Sequence, residues 1–186
     1  VNLQHANLAG AQLGNGRLIE ADLRGANLTQ VTMIDMSFEN ADLTDAVLGG
    51  SKTRIATLKT CAFIDAKMRR MDLQGASMQN CYFKGADMFG ANMIDTHMFN
   101  VDFKNTDLGC VDLRRSQIHG ANFNDADMRG ANLEGAYFVS LLYKNEFHGA
   151  NLEGANLYKA NMGVANLKDA KLRGATMPDG SVSTSS

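Results

Sequence analysis

Leucine stands at positions 3, 8, 13, 18, 23 and 28, and Met33, Phe38, Leu43 and Leu48 continue the series, so an apolar residue recurs every five residues. That period fits neither the 3.6-residue helix nor a long strand of period two. From Leu3 to Phe138 the spacing is unbroken over 28 pentapeptides, and only Thr53 and Ile118 replace Leu, Met or Phe at the centre, position i. The step from Phe138 to Leu142 is four; fives then resume through Phe147 to Met177, giving 36 repeats. A small residue precedes each centre by two, commonly Ala (Ala6, Ala11, Ala21, Ala26), with Asn or Asp usually between them.

Within each repeat i−2 and i are apolar and i−1 is polar, which is a three-residue alternating strand. Positions i+1 and i+2 must turn the chain, and 12 of the 18 glycines stand at i+2, where a type II turn requires positive φ. A quarter turn per repeat closes a square coil in 20 residues, and successive coils stack as parallel β at roughly 4.8 Å. The expectation is an all-β, quadrilateral parallel β-helix of about nine coils of 20 residues, a rod roughly 40 Å long. It forms one domain over 1–180, with a frame slip and bulge at 139–146 and a disordered tail at 181–186. Residues 20 apart share a column, so Phe63, Phe83, Phe103 and Phe123 should form a continuous stack of rings. All 11 methionines fall at i or i−2 and read as core filler.

The runs ADLRGANL at 21–28, ADMRGANLEGAYF ending at 138, and GANLEGANLYKANMGVANLKDAKLRGA at 149–175 resemble the pentapeptide-repeat family. The resemblance covers essentially the whole chain and implies a right-handed quadrilateral β-helix. ATMPDGS at 175–181 is similar to the ends of family members from cyanobacteria and the chloroplast thylakoid lumen. The same family includes bacterial proteins that mimic DNA and bind DNA gyrase.

For chemistry the sequence offers little. Eighteen basic and 20 acidic residues give a net charge of −2, which removes the clustered positive charge of a nucleic-acid binder. No apolar run is long enough to span a bilayer, and because Val1 is not a Met, any targeting segment is expected to lie ahead of it. His5, His97, His119 and His148 never pair at metal-ligand spacing, and no H-E-x-x-H, C-x-x-C or G-x-S-x-G occurs. No catalytic residue, cofactor or metal site is therefore expected. GGSKT at 49–53 imitates a phosphate loop, but Ser51 stands where Gly is required and no helix pattern follows. The aspartates at i−1, such as Asp22, Asp87 and Asp127, read as solvation and local hydrogen bonding.

Outward positions are where a partner would bind. Phe89, Ile94 and Phe99 occupy i+1 on three successive faces, an apolar belt or three singly exposed residues. Leu141 and Tyr143, at normally polar positions in the frame slip, are a second interaction candidate. The doublets Arg69–Arg70 and Arg114–Arg115 read as solvated charge. Cys61 and Cys81, 20 apart at i−2, stack on adjacent coils as a candidate disulfide or as two buried thiols; parallel side chains in register give poor disulfide dihedrals. Cys110 falls on a corner.

Two functions remain. One is a non-enzymatic scaffold for an unknown protein partner, in a thylakoid lumen or a cyanobacterial cell. The other is a DNA-mimicking gyrase inhibitor, which needs a negative stripe that Arg69, Arg70, Lys84, Lys104, Arg114 and Arg115 interrupt. The family's dimer-forming C-terminal helix also has no counterpart in PDGSVSTSS. The open coil ends permit oligomerisation.

Overall fold

In the computed structural model, residues 1–47, 56–139, 144–163 and 165–184 are described. Seven three-residue strands stack in sequence order on one face: β1 (Gln12–Gly14), β2 (Thr32–Ile34), β3 (Thr57–Lys59), β4 (Ser77–Gln79), β5 (His97–Phe99), β6 (Gln117–His119) and β7 (Tyr137–Val139). Every pair is parallel and in register. A second pair, β8 (Asn145–Glu146) and β9 (Ala165–Asn166), belongs to the next face around. Isolated parallel bridges complete the others, running from Asn2 to Lys171 on the first face and from Asn7 to Thr176 on the second. The third face is the β1–β7 sheet, and the fourth runs from Arg17 to Asn166. Nine rungs on each of two faces and eight on each of the others make eight and a half turns, slightly fewer than the nine expected.

The shortfall has a location. Thr32 pairs with Thr57, 25 residues on, and Tyr137 pairs with Asn161, 24 residues on, whereas the usual step is 20. The coil spacing therefore widens by five residues between Val47 and Ala56 and by four between Val139 and Asn145. Phe147 rather than Leu142 is the centre that follows Phe138. Asn145 takes the small inward position at this re-entry; its Oδ1 accepts the Ala121 N–H at 2.9 Å and its Nδ2 donates to the Val139 carbonyl at 3.1 Å. Buried side-chain polar atoms all have partners among the described residues, as burial requires.

The interior is filled by the two apolar columns. Phe38, Phe63, Phe83, Phe103, Phe123 and Phe147 stack with centroids 4.7–5.1 Å apart and planes within 14°. The four-ring column extends to six because both register skips bring a further Phe into line. Nine of the methionines, Met33 to Met128, are buried. At the lower end, Val182 pairs antiparallel with Thr176, and Ser183 exchanges hydrogen bonds with Gly174 and Ala175 at 2.8 Å. Residues 181–184, expected as a disordered tail, thus fold back over the last half-turn through the Pro178–Gly180 turn, because they satisfy backbone groups at an otherwise open edge.

At the corners, 19 non-glycine residues adopt φ between 51° and 60°. Eleven are Asn or Asp, the L-residues that tolerate this region best. The Asn or Asp at i−1 supports the turn: its Oδ1 accepts the i+1 N–H, as in Gln4 to Asn2 at 3.0 Å, Gln74 to Asp72 at 3.0 Å and Gly109 to Asp107 at 2.9 Å. The third face differs. On its first seven rungs i+1 remains extended and joins the ladder, so its amide needs no Asx acceptor, and i−1 is Gln12, Thr32, Thr57, Ser77, His97, Gln117 or Tyr137; on the eighth, Asn161 Oδ1 accepts the Gly163 N–H at 3.2 Å.

Candidate functional site

Local turn chemistry therefore sorts the outward side chains by face. Among the described residues, the i−1 and i+1 columns carry twelve charged residues on the first face, four on the second, seven on the fourth, and only Lys59 on the third.

Four of the five first-face aspartates lie within 4.0 Å of a cation. Asp22 binds Arg24 at 2.7 Å, Asp87 binds Arg69 at 2.9 Å, Asp127 binds Arg129, and Lys67 lies 4.0 Å from Asp42. The Arg24 hydrogen bond pulls the Asp22 pKa from 3.8 to about 2, and Arg129 lowers that of Asp127 in the same way. Both arginine doublets are engaged too: Arg70 holds Asp45 through two bonds of 2.8 Å, Arg115 holds Asp95 at 2.8 and 2.9 Å, and Arg114 holds Asp112. A shallow notch of about 250 Å³ is lined by Arg114, Arg115, Glu134, Gly135 and Lys159. Its two arginines are those already paired, and Lys159 sits 4.9 Å over the Tyr158 ring, so it presents no concentrated positive field. The second face is tied together by amide ladders, such as Asn27 to Asn7 at 3.1 Å and Asn92 to Asp72 at 3.0 Å.

The apolar belt does not assemble into one surface. Phe89, Ile94 and Phe99 stand on the first, second and third faces. The Phe89 ring is laid against the rod: the Arg69 guanidinium lies 4.7 Å above it, and a Cβ on Gly109 would come within 2.8 Å of the ring. Glycine at 109 is what lets it lie flat. Ile94 is half-buried. Phe99 is 41% exposed and shares the third face with Ile34, 40% exposed, and Tyr137, 50% exposed. Leu141 and Tyr143 lie outside the described residues, as does GGSKT at 49–53.

Cys61 and Cys81 are free, fully buried thiols, and Cys110 is an exposed one. The Cys61 Sγ lies 3.5 Å from the Met33 and Lys59 carbonyls and the Cys81 Sγ 3.5 Å from those of Leu58 and Gln79. The hydrogen bond to Cys61, with burial, pushes the Cys81 thiol far above its ordinary range. No cluster of three His, Cys, Asp or Glu residues suited to a metal ion occurs among the described residues, and no helix there is long and apolar enough to cross a membrane.

Sequence reasoning missed the third face as a unit. The signal was present: sorting outward residues by column separates charged from uncharged columns before any coordinates are known.

A family model described as a pentapeptide repeat region matches residues 56–138, and one described as pentapeptide repeats (8 copies) matches 1–35, 21–52 and 146–179. The matches break near both register skips. Among solved structures, the chain is similar to HetL, a pentapeptide repeat protein involved in heterocyst differentiation regulation from the cyanobacterium Nostoc sp. strain PCC 7120. The two are 30% identical over 98% of this chain and 93% of that one, with a TM-score of 0.51. Full-length QnrB1, a plasmid-mediated fluoroquinolone resistance protein, is 20% identical over 91% of this chain and 88% of that one, with a TM-score of 0.47. AT2G44920, from the Arabidopsis thaliana thylakoid lumen, is 20% identical over 78% and 68%, with a TM-score of 0.22. No curated protein matches the sequence. With the repeat, the stacked square coils and the family matches in agreement, the chain belongs to the pentapeptide-repeat proteins.

Proposed function

We propose that the chain is a non-enzymatic scaffold of a photosynthetic cell, and that its third face is where a protein docks. The carrying observation is the segregation of charge. Among the described residues, one face, eight rungs long, bears a single charged residue, while Ile34, Phe99 and Tyr137 expose apolar surface there. Turn geometry explains why that face lacks Asp on its first seven rungs, since their i+1 amides need no acceptor. It does not explain the exposed Ile34 and Phe99 at i+1, where the first face mostly places Arg or Glu. Charge depletion with aromatic enrichment is the composition of an interface centre. The cyanobacterial source of HetL supports the cellular setting.

The alternative, a DNA-mimicking inhibitor of gyrase, needs uncompensated negative charge along the rod. Asp22, Asp87 and Asp127 each spend theirs on a neighbouring arginine, so the first face lacks the continuous potential that duplex DNA presents. Two measurements test the pair. Affinity capture from a cyanobacterial extract should retain a protein on the native chain and lose it on Phe99→Lys. In a gyrase supercoiling assay, stoichiometric protein should leave activity unchanged; inhibition would favour the alternative.

A further inference from the structure

We infer that the occupant of the third face is a second copy of this chain, two rods lying side by side as a face-to-face β-sandwich. The inference rests on the third face being the docking face and names the partner.

The case is one of charge and shape. A surface that buries the third face must bring almost no charge of its own, because an unpaired charge there would be desolvated without compensation. It must also be straight and flat over eight rungs of roughly 4.8 Å, or roughly 35 Å. The third face of another copy meets the charge condition by construction and has the same length. The first face does not: stacked on itself it would set column against column of Asp and Arg already committed to partners of their own.

A twofold axis along the rods keeps every rung opposite its own copy and sets column i−1 against column i+1. Phe99 then faces His97 of the second copy, Tyr137 faces Val139, and Lys59 faces Thr57, so no like charges are directly opposed. Aligned sheets pack about 10 Å apart, and contact is most fully enclosed at mid-rod. Phe99 stands there, on the fifth of the eight rungs. Sixteen outward positions fall below the 20–30 residues that each side of a standard interface supplies, so the dimer is small and reversible.

Sedimentation equilibrium on the full chain, from about 1 µM to about 500 µM, tests the inference. The weight-average mass should rise from 20.1 kDa toward twice that value. Phe99→Lys and Phe99→Glu should each weaken association at least about tenfold, because an unpaired charge is then desolvated on each side of the axis. An equimolar mixture of the two should regain it as a 1:1 heterodimer, which misfolded variants could not do. Ile94→Lys, on the second face, should associate as the native chain does. A native chain that stays at 20.1 kDa throughout overturns the inference. If Phe99→Lys then still abolishes capture of a different protein, the docking face stands and only the self-partner is wrong. If neither association nor capture responds to Phe99→Lys, both fall.

Discussion

Replacing Phe83 with alanine removes the third of six stacked rings and tests whether the phenylalanine column holds the coils together. Phe83 is 0% exposed, and its ring meets Phe63 at 4.9 Å with planes 2° apart and Phe103 at 5.0 Å with planes 12° apart. Truncating a buried Phe to Ala costs about 3–5 kcal/mol, the lost transfer free energy plus the cavity left behind. The coil above and below is fixed by ladder hydrogen bonds, such as Phe83 N–H to the Asp102 carbonyl at 2.7 Å, so the cavity cannot readily close and the upper half of that range applies. Phe83→Leu keeps most of the apolar burial but loses two ring contacts worth about 0.5–1.5 kcal/mol each, a cost of about 1–3 kcal/mol. Phe89→Ala is the control, because that ring lies on the surface at 37% exposure and should cost under about 1 kcal/mol. The assay is urea denaturation followed by far-ultraviolet circular dichroism, reading both midpoint and slope, since a repeat rod can lose cooperativity when one coil is weakened. A Phe83→Ala variant no less stable than Phe89→Ala would refute the column as the organising contact.

Three further outcomes follow from the same geometry. Gly154 has φ +65° and nothing within 4 Å of a Cβ, so Gly154→Ala should cost about 1–2 kcal/mol from backbone strain alone. At Gly149 the Cβ would also meet the Asp125 Oδ1 at 2.5 Å, and thermal denaturation should show that variant about 1 kcal/mol less stable still. Asp22 and Asp127 have folded-state pKa values below their unfolded ones, so the stability they contribute is complete above the unfolded pKa near 4. For Asp22 it is lost as pH falls toward about 2, and Asp22→Asn should flatten urea midpoints measured across that window. Alkylation without reductant should modify Cys110 alone in the native protein and all three cysteines after unfolding; a single modification after unfolding would reveal a Cys61–Cys81 bridge.

Much of this architecture was legible because a five-residue period leaves few ways to bury two columns and turn the chain. The Phe63 to Phe123 stack followed directly from spacing. Phe38 did not, because the apolar period runs unbroken where the coil spacing widens to 25 residues, and Phe147 did not, because a single step of four does not mark a coil spacing of 24. Only the pairing of Thr32 with Thr57 reveals the first widening. A periodic sequence fixes which side of the chain faces inward but not how many repeats each coil contains. The fold-back of Val182 was hidden for a related reason: Ser, Val and Thr carry no repeat signal, and it is the unpaired edge of the last coil that recruits them. At the surface, Phe89, Ile94 and Phe99 read alike in sequence. Their fates diverge because Gly109 gives one ring a place to lie flat, Ile94 is half-buried, and Phe99 stands on the face whose corner needs no Asx acceptor.

The central claim is that one face of four is the docking face, and a panel placing one lysine on each face tests it most directly. Phe89→Lys, Ile94→Lys, Phe99→Lys and Tyr82→Lys add the same charge to the first, second, third and fourth faces. Binding of each variant to immobilised native chain, and to any protein captured on the native chain, would be compared at matched concentration. Only Phe99→Lys is expected to lose binding, by at least about tenfold. Equal loss across the panel, or loss confined to another face, would contradict the account.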